Sequence, residues 1–252
     1  HVRMRALVAG RDPAARVVLL VGVYSPGLPT ALGVLGIEHI TVDYRRPEGW
    51  RRMHWRGDVR DILHARTWAA VVAFPPCKDT ALSGHSTHEA KIASHLQWHA
   101  VAFYALLWCS PSAIVILEHP RSVVPLYVDV PTQTIHPYML EHGGNERKET
   151  HIASRGAGPI RCRQREEWPT PEDTRCHTHD LRIADPELRE AERARLSLAV
   201  AWGIAYAVAD ALAAPPTSIP PPQYEAFIAT VAARYQQRGH PLPPWWQAPL
   251  AK

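Results

Sequence analysis

The chain has 252 residues, of which 46% are hydrophobic and 21% charged, so it can bury a sizeable core and is not a disordered protein. No apolar run reaches the roughly 18 residues of a membrane-spanning helix, and the start of the chain lacks the apolar segment and cleavage site of a secretory signal. We therefore expect a soluble, intracellular protein with no membrane association.

The net charge is +4, and basic residues are concentrated near the start of the chain. Residues 1–60 contain ten arginines and five acidic residues. A basic lobe favours a phosphate-bearing partner such as nucleic acid. Arginine makes up 24 of the 28 basic residues, which the codon bias of a GC-rich genome alone would produce. Both interpretations of the charge stay open.

Continuous apolar runs predict strands that are covered on both faces. These runs are residues 16–23, 39–44, 68–74 and 113–117. Helix-like patterns separate them, and the clearest begins at an S-x-x-E capping box at residues 86–89. It carries apolar residues at helical spacing: Ile92, Leu96, Phe103 and Leu107. The alternation predicts an α/β fold with a doubly wound, mostly parallel sheet, whose ligands bind at the carboxyl ends of the strands.

Residues 121–184 are polar and rich in Arg, His and Pro, with weak strand signals at TIHPYML and THIAS. A second helix is predicted from Asp185, the N-cap before Pro186, to about Leu212. Its later half carries a stripe that should be buried: Leu196, Val200, Ile204, Val208 and Leu212.

Residues 214–252 predict a small C-terminal helical appendage that follows a proline-rich linker at 214–222. One face of its short amphipathic helix carries Tyr224, Phe227, Ile228, Val231 and Tyr235. Exposed Trp245 and Trp246 would mark a partner surface, but we favour docking of this tail onto its own domain.

The stretch FPPCKDTALSGHS, at residues 74–86, follows the third apolar run. A proline pair at the end of a buried strand fixes two φ angles and removes two backbone donors, so Cys77 is held in a stiff loop at the ligand crevice. A thiol attacks as its thiolate, and Lys78 and the helix beginning near Ser86 are candidate sources of a lowered pKa. Glu118 ends the next apolar run and would face the same crevice. When each residue is considered alone, Cys77 could instead be an inert buried cysteine and Glu118 a solvated residue at the end of a strand.

These residues resemble the C5 cytosine DNA methyltransferases, especially the short forms encoded by phages. That family has a Pro-Pro-Cys nucleophile loop and, one strand later, a Glu-Asn-Val or Glu-Asn-Pro motif. Here Pro-Pro-Cys ends at Cys77, and Glu-His-Pro begins at Glu118, with His in place of Asn. The resemblance covers about residues 16–213 and implies the class I methyltransferase (Rossmann-like) type of sheet. It makes residues 1–213 the catalytic domain, with 121–184 as its variable region.

The resemblance also implies a reaction on DNA. A Cys77 thiolate would add to C6 of cytosine, and Glu118, with a raised pKa, would protonate the ring at N3 so that C5 can accept a one-carbon group. The target base is hidden in a duplex, so it would be flipped out of the stack. The substrate-binding residues that follow from the resemblance are Pro75, Pro76, Ser83, His119, Arg161 and Arg163.

The cofactor that the resemblance implies is S-adenosylmethionine. Asp43 matches the family's acidic residue on the cofactor ribose, and Asp58 matches the one near the adenine. Gly22 and Gly27 match the first motif, but Tyr24 stands in the tightest part of its turn, where the family needs a glycine. This departure favours either another donor, 5,10-methylenetetrahydrofolate, or a protein that no longer methylates.

Free thiols in a reducing compartment are expected, because the four cysteines lack the dense spacing of a disulfide scaffold. Cys162, Cys176, His177 and His179 have zinc-compatible side chains without the paired spacing of a structural zinc site, so we predict no metal.

Three functions remain in competition. The first is a DNA cytosine C5-modifying enzyme, and the second is the same chemistry on free dCMP. The third is an inactive methyltransferase-like module that binds DNA in a salt-dependent manner. For the enzyme, the resemblance implies flipped cytosine in DNA as the partner and the cytoplasm of a bacterial cell, with phage-encoded relatives, as the location.

Overall fold

The computed structural model describes residues 16–23, 25–44, 54–176, 196–214 and 219–246. Its strands are β1 (Val18–Val21), β2 (His39–Asp43), β3 (His54–Arg56), β4 (Ala70–Ala73), β5 (Ile114–Pro120), β6 (Thr132–Ile135), β7 (Glu146–Arg147), β8 (Thr150–Arg155) and β9 (Arg175–Cys176). Its α-helices are α1 (Gly27–Val34), α2 (Arg60–Leu63), α3 (His88–Ala93), α4 (Leu96–Trp108), α5 (Leu198–Ala213) and α6 (Tyr224–Gln237). None of these helices has the length and apolar content needed to span a bilayer.

A seven-stranded sheet of order β3-β2-β1-β4-β5-β8-β6 forms the centre of the molecule. Neighbours from β3 through β5 are parallel, and β8 runs antiparallel between β5 and β6. The strand order reverses between β1 and β4, which is where doubly wound sheets bind their ligands. The predicted α/β fold with a doubly wound, mostly parallel, Rossmann-like sheet is confirmed.

The sheet forms because its central strands have no polar face. Each residue of β1 and of β4 is buried, since α1 and α5 cover one side of the sheet and α4 and α6 cover the other. All four predicted strands are present as β1, β2, β4 and β5. The three-residue β3 was not predicted, because it is partly exposed and carries no apolar run.

The helix predicted from the capping box is divided in the structure. Residues Leu82–Thr87 form a 3₁₀ turn, and no side-chain capping bond forms at Thr87, the N-cap of α3. His95 adopts a left-handed conformation (φ 60°) that ends α3 and starts α4 in a new direction. The predicted single helix was therefore wrong, because the backbone turns at His95.

The C-terminal helical element belongs to the main core. In α6, the ring of Tyr235 packs edge-on against Trp98 of α4, with ring centroids 5.3 Å apart. The tail beyond it docks on the same side, where Trp245 stacks on His99 at 4.2 Å and Trp246 packs against the core. The stripe of α5 is buried as expected at Val200, Ile204 and Val208; the predicted start of that helix at Asp185 lies outside the described residues.

Gly22 joins the two central strands at their carboxyl ends. Its φ is +68°, and a Cβ at this position would lie 2.6 Å from the carbonyl oxygen of Phe74. The Gly22 amide donates to Val42 O and the Phe74 amide donates to Val21 O, each at 2.9 Å. Only glycine combines this φ with such a close backbone approach.

Gly22→Ala should therefore lower the free energy of unfolding by about 2 kcal/mol or more, because it combines a strained φ with a clash against backbone. The matched control is Gly33→Ala in α1, where an added Cβ meets nothing within 4 Å; it should leave stability unchanged or raise it by up to about 1 kcal/mol. Urea denaturation measures both variants. Equal stability of the two would contradict the constraint.

Candidate active site

Cys77 lies in a loop whose backbone is tightly held. The loop leaves β4 through buried Pro75 and exposed Pro76. The carbonyl of Cys77 then accepts hydrogen bonds from the amides of Thr80 (3.0 Å) and Ala81 (2.7 Å). The half-buried thiol is thus fixed at the carboxyl end of β4, beside the point where the strand order reverses.

Backbone hydrogen bonds tie this loop to the segment after β5. The Val123 amide donates to Thr80 O at 2.9 Å, and the Leu82 amide donates to Arg121 O at 3.0 Å. Because β4 and β5 are also paired in parallel, Cys77 and Glu118 lie at the same edge of the sheet, close enough for the charge of Glu118 to act on the thiol.

Glu118 is a carboxyl group in a desolvated position. It lies in β5 and pairs with Ile152 of the antiparallel strand β8. Burial raises its pKa to about 7, and the charge of Lys148 only partly offsets this effect. Glu118 can therefore carry a proton near neutral pH, which is the property expected of a group that protonates a substrate.

Lys148 completes the site and was not predicted. It lies between β7 and β8, just before the strand that pairs with Glu118, and its charge lowers the pKa of both Cys77 and Glu118. The THIAS strand signal was the available clue: a residue that precedes a strand antiparallel to β5 lies at the carboxyl end of β5. Lys78, the predicted cation, is exposed, and its carbonyl accepts a bond from Lys91 Nζ at 2.5 Å.

The Cys77 thiol is neutral in the free protein, which corrects the expectation of a lowered pKa. Burial is the main cause that raises its pKa, and the charge of Glu118 is the second. A backbone hydrogen bond to Cys77 and the charge of Lys148 act in the opposite direction. The predicted helix start near Ser86 cannot lower the pKa as an α-helix would, because that segment is a 3₁₀ turn.

His119, a predicted substrate contact, is buried at the end of β5. Neighbouring side chains of a strand point to opposite faces of the sheet, so the His119 ring turns away from the face of Glu118 and packs edge-on against Tyr104 at 5.5 Å. It is 2% exposed, and its Nδ1 lies 2.8 Å from Pro120 O and 3.0 Å from Ser122 Oγ. Burial lowers its pKa to about 4, so it is a neutral brace for the strand end.

The other predicted substrate contacts are occupied elsewhere or lie on the surface. Exposed Arg161 forms an ion pair with Asp210 of α5 at 2.8 Å. The Arg163 guanidinium donates to Tyr138 O at 2.5 Å. Ser83 is exposed in the 3₁₀ turn. The cation beside Cys77 and Glu118 is therefore Lys148 rather than either arginine.

On the cofactor side, Asp43 is the last residue of β2 and Gly22 directly follows β1, both at the carboxyl edge of the sheet. Gly27 is a packing position instead: a Cβ there would lie 3.4 Å from Ala201 of α5. The Asp58 carboxylate accepts hydrogen bonds from the Arg60 amide at 2.9 Å, from Arg60 Nε at 2.8 Å and from Arg60 Nη2. These bonds lower the pKa of Asp58 to about 2. Its carboxylate is already well supplied with donors, and Tyr24 lies outside the described residues.

Ser25 is a site residue that sequence reasoning missed. It follows β1 with 7% exposure, and its hydroxyl has no hydrogen-bond partner in the described part of the chain. Buried polar groups normally have hydrogen-bond partners, so a polar atom of a bound molecule would supply the partner of the Ser25 hydroxyl. Together with Asp43, at the position where doubly wound folds hold a ribose, Ser25 fits a nucleoside-bearing cofactor such as S-adenosylmethionine.

The possible zinc group is only partly described. Cys162 is exposed, and its sulfur lies 3.8 Å from Gln133 Nε2. His177 and His179 lie outside the described residues. Among the residues that are described, no three metal-ligating side chains come together.

No protein-family model matches the chain, and no curated protein matches it either. Function therefore has to be inferred from the site. Its arrangement combines a positioned thiol, a carboxyl group that holds a proton near pH 7, and a cation that favours the ionised thiol. Such a set can add sulfur to an electrophilic ring carbon while the ring is protonated.

The charges of the site predict opposite effects of two substitutions on Cys77. Glu118→Gln should lower the pKa of the thiol, because it removes a negative charge, and Lys148→Met should raise it. The pH dependence of Cys77 alkylation by iodoacetamide, followed by mass spectrometry of its peptide, measures both. Lys78→Met is the matched control, since it removes an adjacent cation with little expected effect. A larger shift in Lys78→Met than in Lys148→Met would restore the sequence-based assignment.

Glu118 should also make stability depend on pH. Its folded-state pKa of about 7 exceeds its ordinary value of 4.5, so the folded chain binds the proton more tightly, and stability is lost as pH rises through this window. Glu118→Gln lacks this titration. Urea unfolding should therefore show that its free energy of unfolding rises relative to that of the wild type, by on the order of 3 kcal/mol, between about pH 5 and about pH 8. Glu225→Gln, at an exposed carboxyl of α6, is the matched control. A difference in unfolding free energy between the wild type and Glu118→Gln that stays constant across this pH range would rule out the raised pKa of Glu118.

Proposed function

We propose that the protein modifies C5 of cytosine in DNA, through a covalent bond between Cys77 and C6 of the base. The observation that carries this proposal is the meeting of the Cys77 thiol with a Glu118 carboxyl whose pKa is about 7, beside Lys148. The strand order and the single antiparallel strand β8 support it further, since they agree with the class I methyltransferase type of sheet that the sequence resembles.

Substrate binding would activate the thiol. Glu118 in its protonated form donates a hydrogen bond to N3 of the cytosine ring, and a neutral Glu118 no longer raises the pKa of Cys77. The charge of Lys148 then favours the thiolate. A reactive thiolate would thus arise when a base fills the crevice, and the empty site would keep an inert thiol.

The chemical step starts when Cys77 Sγ forms a bond to C6, and the electron pair of the C5–C6 double bond moves into the ring, where the Glu118 proton at N3 stabilises it. C5 is then nucleophilic and forms a bond to a one-carbon group. Loss of the C5 proton to solvent restores the double bond and expels Cys77. A bound S-adenosylmethionine would supply an electrophilic methyl group for this step, with its bond to the sulfonium sulfur broken and the neutral thioether released. Asp43 and Ser25 are the residues that would hold it.

Replacement of Cys77 by Ala should abolish the modification and leave the fold intact, because the side chain acts as a nucleophile and is only half buried. Nucleoside mass analysis of DNA from cells that express each form measures this. A Cys77-dependent methyl group indicates S-adenosylmethionine, and a hydroxymethyl group indicates 5,10-methylenetetrahydrofolate. Ser122→Ala, which alters the brace of His119 but no reacting group, is the control that should retain activity.

Incubation with duplex DNA that carries 5-fluorocytosine provides an independent test. S-adenosylmethionine and 5,10-methylenetetrahydrofolate are added in separate incubations, because the adduct is trapped only after C5 has received its one-carbon group. Fluorine cannot then leave C5 as a proton does, so the bond between Cys77 and C6 should persist and survive denaturation. Unchanged cytosine in cells together with no adduct on fluorinated DNA would exclude the proposal. Modification of free dCMP, but not of DNA, would instead support the nucleotide enzyme.

A further inference from the structure

An aromatic cluster lies at the same edge of the sheet as the Cys77 crevice. The rings of His136 and Tyr138 are stacked, with centroids 5.0 Å apart and an interplanar angle of 9°. Trp168 meets Tyr138 edge-on at 6.0 Å. Tyr138 and Trp168 are both partly exposed. We call these three residues the aromatic ledge, and the active site described above does not use them.

Hydrogen bonds hold the aromatic ledge in place before any ligand binds. The Trp168 indole donates to Arg163 O at 3.3 Å. Arg163 in turn donates from its guanidinium to Tyr138 O at 2.5 Å and from its amide to Met139 O at 2.8 Å. The segment that carries Trp168 is thereby braced against the 3₁₀ turn that carries Tyr138, so the rings lose little freedom on binding a partner.

The strand register places the aromatic ledge relative to Glu118. Glu118 of β5 and Gln133 of β6 both pair with Ile152, so they stand at one level of the sheet, two strands apart. His136, in extended conformation, comes three residues after Gln133. At about 3.3 Å per residue and about 4.8 Å between strands, the ledge lies about 10 Å further out and about 10 Å to the side.

We propose that the aromatic ledge stacks on a base of the DNA duplex that neighbours the flipped cytosine. This inference rests on the proposed function. A base that has swung into the crevice at Glu118 leaves its duplex outside the carboxyl edge of the sheet, which is the side to which the ledge extends. Aromatic rings offer any nucleobase a stacking surface, whatever its sequence.

The charges near Trp168 agree with stacking rather than phosphate binding. Exposed Arg165 is followed by exposed carboxylates on the same segment. These are Glu166, Glu167, Glu172 and Asp173. A surface with this balance does not attract the phosphate backbone, so the contribution of the ledge to affinity should be independent of salt.

The test uses the full chain and a duplex with 2-aminopurine next to the target cytosine. Trp168→Ala and Tyr138→Ala should each weaken binding about tenfold and relieve the quenching of 2-aminopurine, while the slope of affinity against salt stays that of the wild type. Trp168→Phe keeps an aromatic face and should retain most of the affinity. Tyr206→Ala, at an exposed aromatic of α5, is the matched control.

The outcomes separate this inference from the function on which it rests. If the wild type forms the Cys77 adduct while both ledge variants bind and quench as it does, the ledge is not a stacking surface and the function stands. A changed salt slope in Trp168→Ala would indicate a phosphate contact and overturn stacking. If the wild type leaves cytosine in cells unchanged and also forms no adduct on fluorinated DNA, both proposals fall. Thermal unfolding checks that each variant is folded.

Discussion

The electrostatic coupling of Cys77 and Glu118 in a desolvated crevice is the constraint on which the rest of the site depends. Both groups are acids, burial makes each of them harder to ionise, and the charge of Glu118 further raises the pKa of the Cys77 thiol. The fold keeps the two groups close. β4 and β5 pair in parallel, and backbone hydrogen bonds join the segments that follow them, so Cys77 and Glu118 are held near each other. Gly22 contributes by letting β1 approach Phe74 at the same edge.

Lys148 makes both acids easier to ionise. A site with two buried acids and no cation would keep both protonated and would have no nucleophile. In the proposed mechanism the substrate then favours the thiolate, because a Glu118 that keeps its proton and donates a hydrogen bond to the base places no negative charge beside Cys77, while the charge of Lys148 lowers the pKa of the thiol. Substrate recognition and nucleophile activation are then a single electrostatic event, and the empty protein is protected from oxidants that attack thiolates.

Much of the fold could be predicted because β1, β2, β4 and β5 are buried on both faces, so that continuous apolar runs identify them. The pair of Cys77 and Glu118 could be found because adjacent parallel strands end at one edge. Lys148 was harder to find, since THIAS signals a strand, but only the antiparallel pairing of that strand with β5, which no local pattern encodes, brings Lys148 to Glu118. The turned-away ring of His119 follows from simple alternation along β5 and was foreseeable.

The docking of α6 on α4 has a consequence for biosynthesis. The core on that side of the sheet is closed only when Tyr235 reaches Trp98, so a nascent chain that includes α4 but not yet α6 exposes an incomplete apolar face to solvent or to chaperones. Completion of the sheet at Arg155, the end of β8, and completion of the core at Tyr235 are then separated in time by the synthesis of 80 residues. A ribosome that stalls in this interval would release a chain that contains the strands of the central sheet but lacks the helix that completes its core. Such a chain would be unstable and would be degraded by proteases.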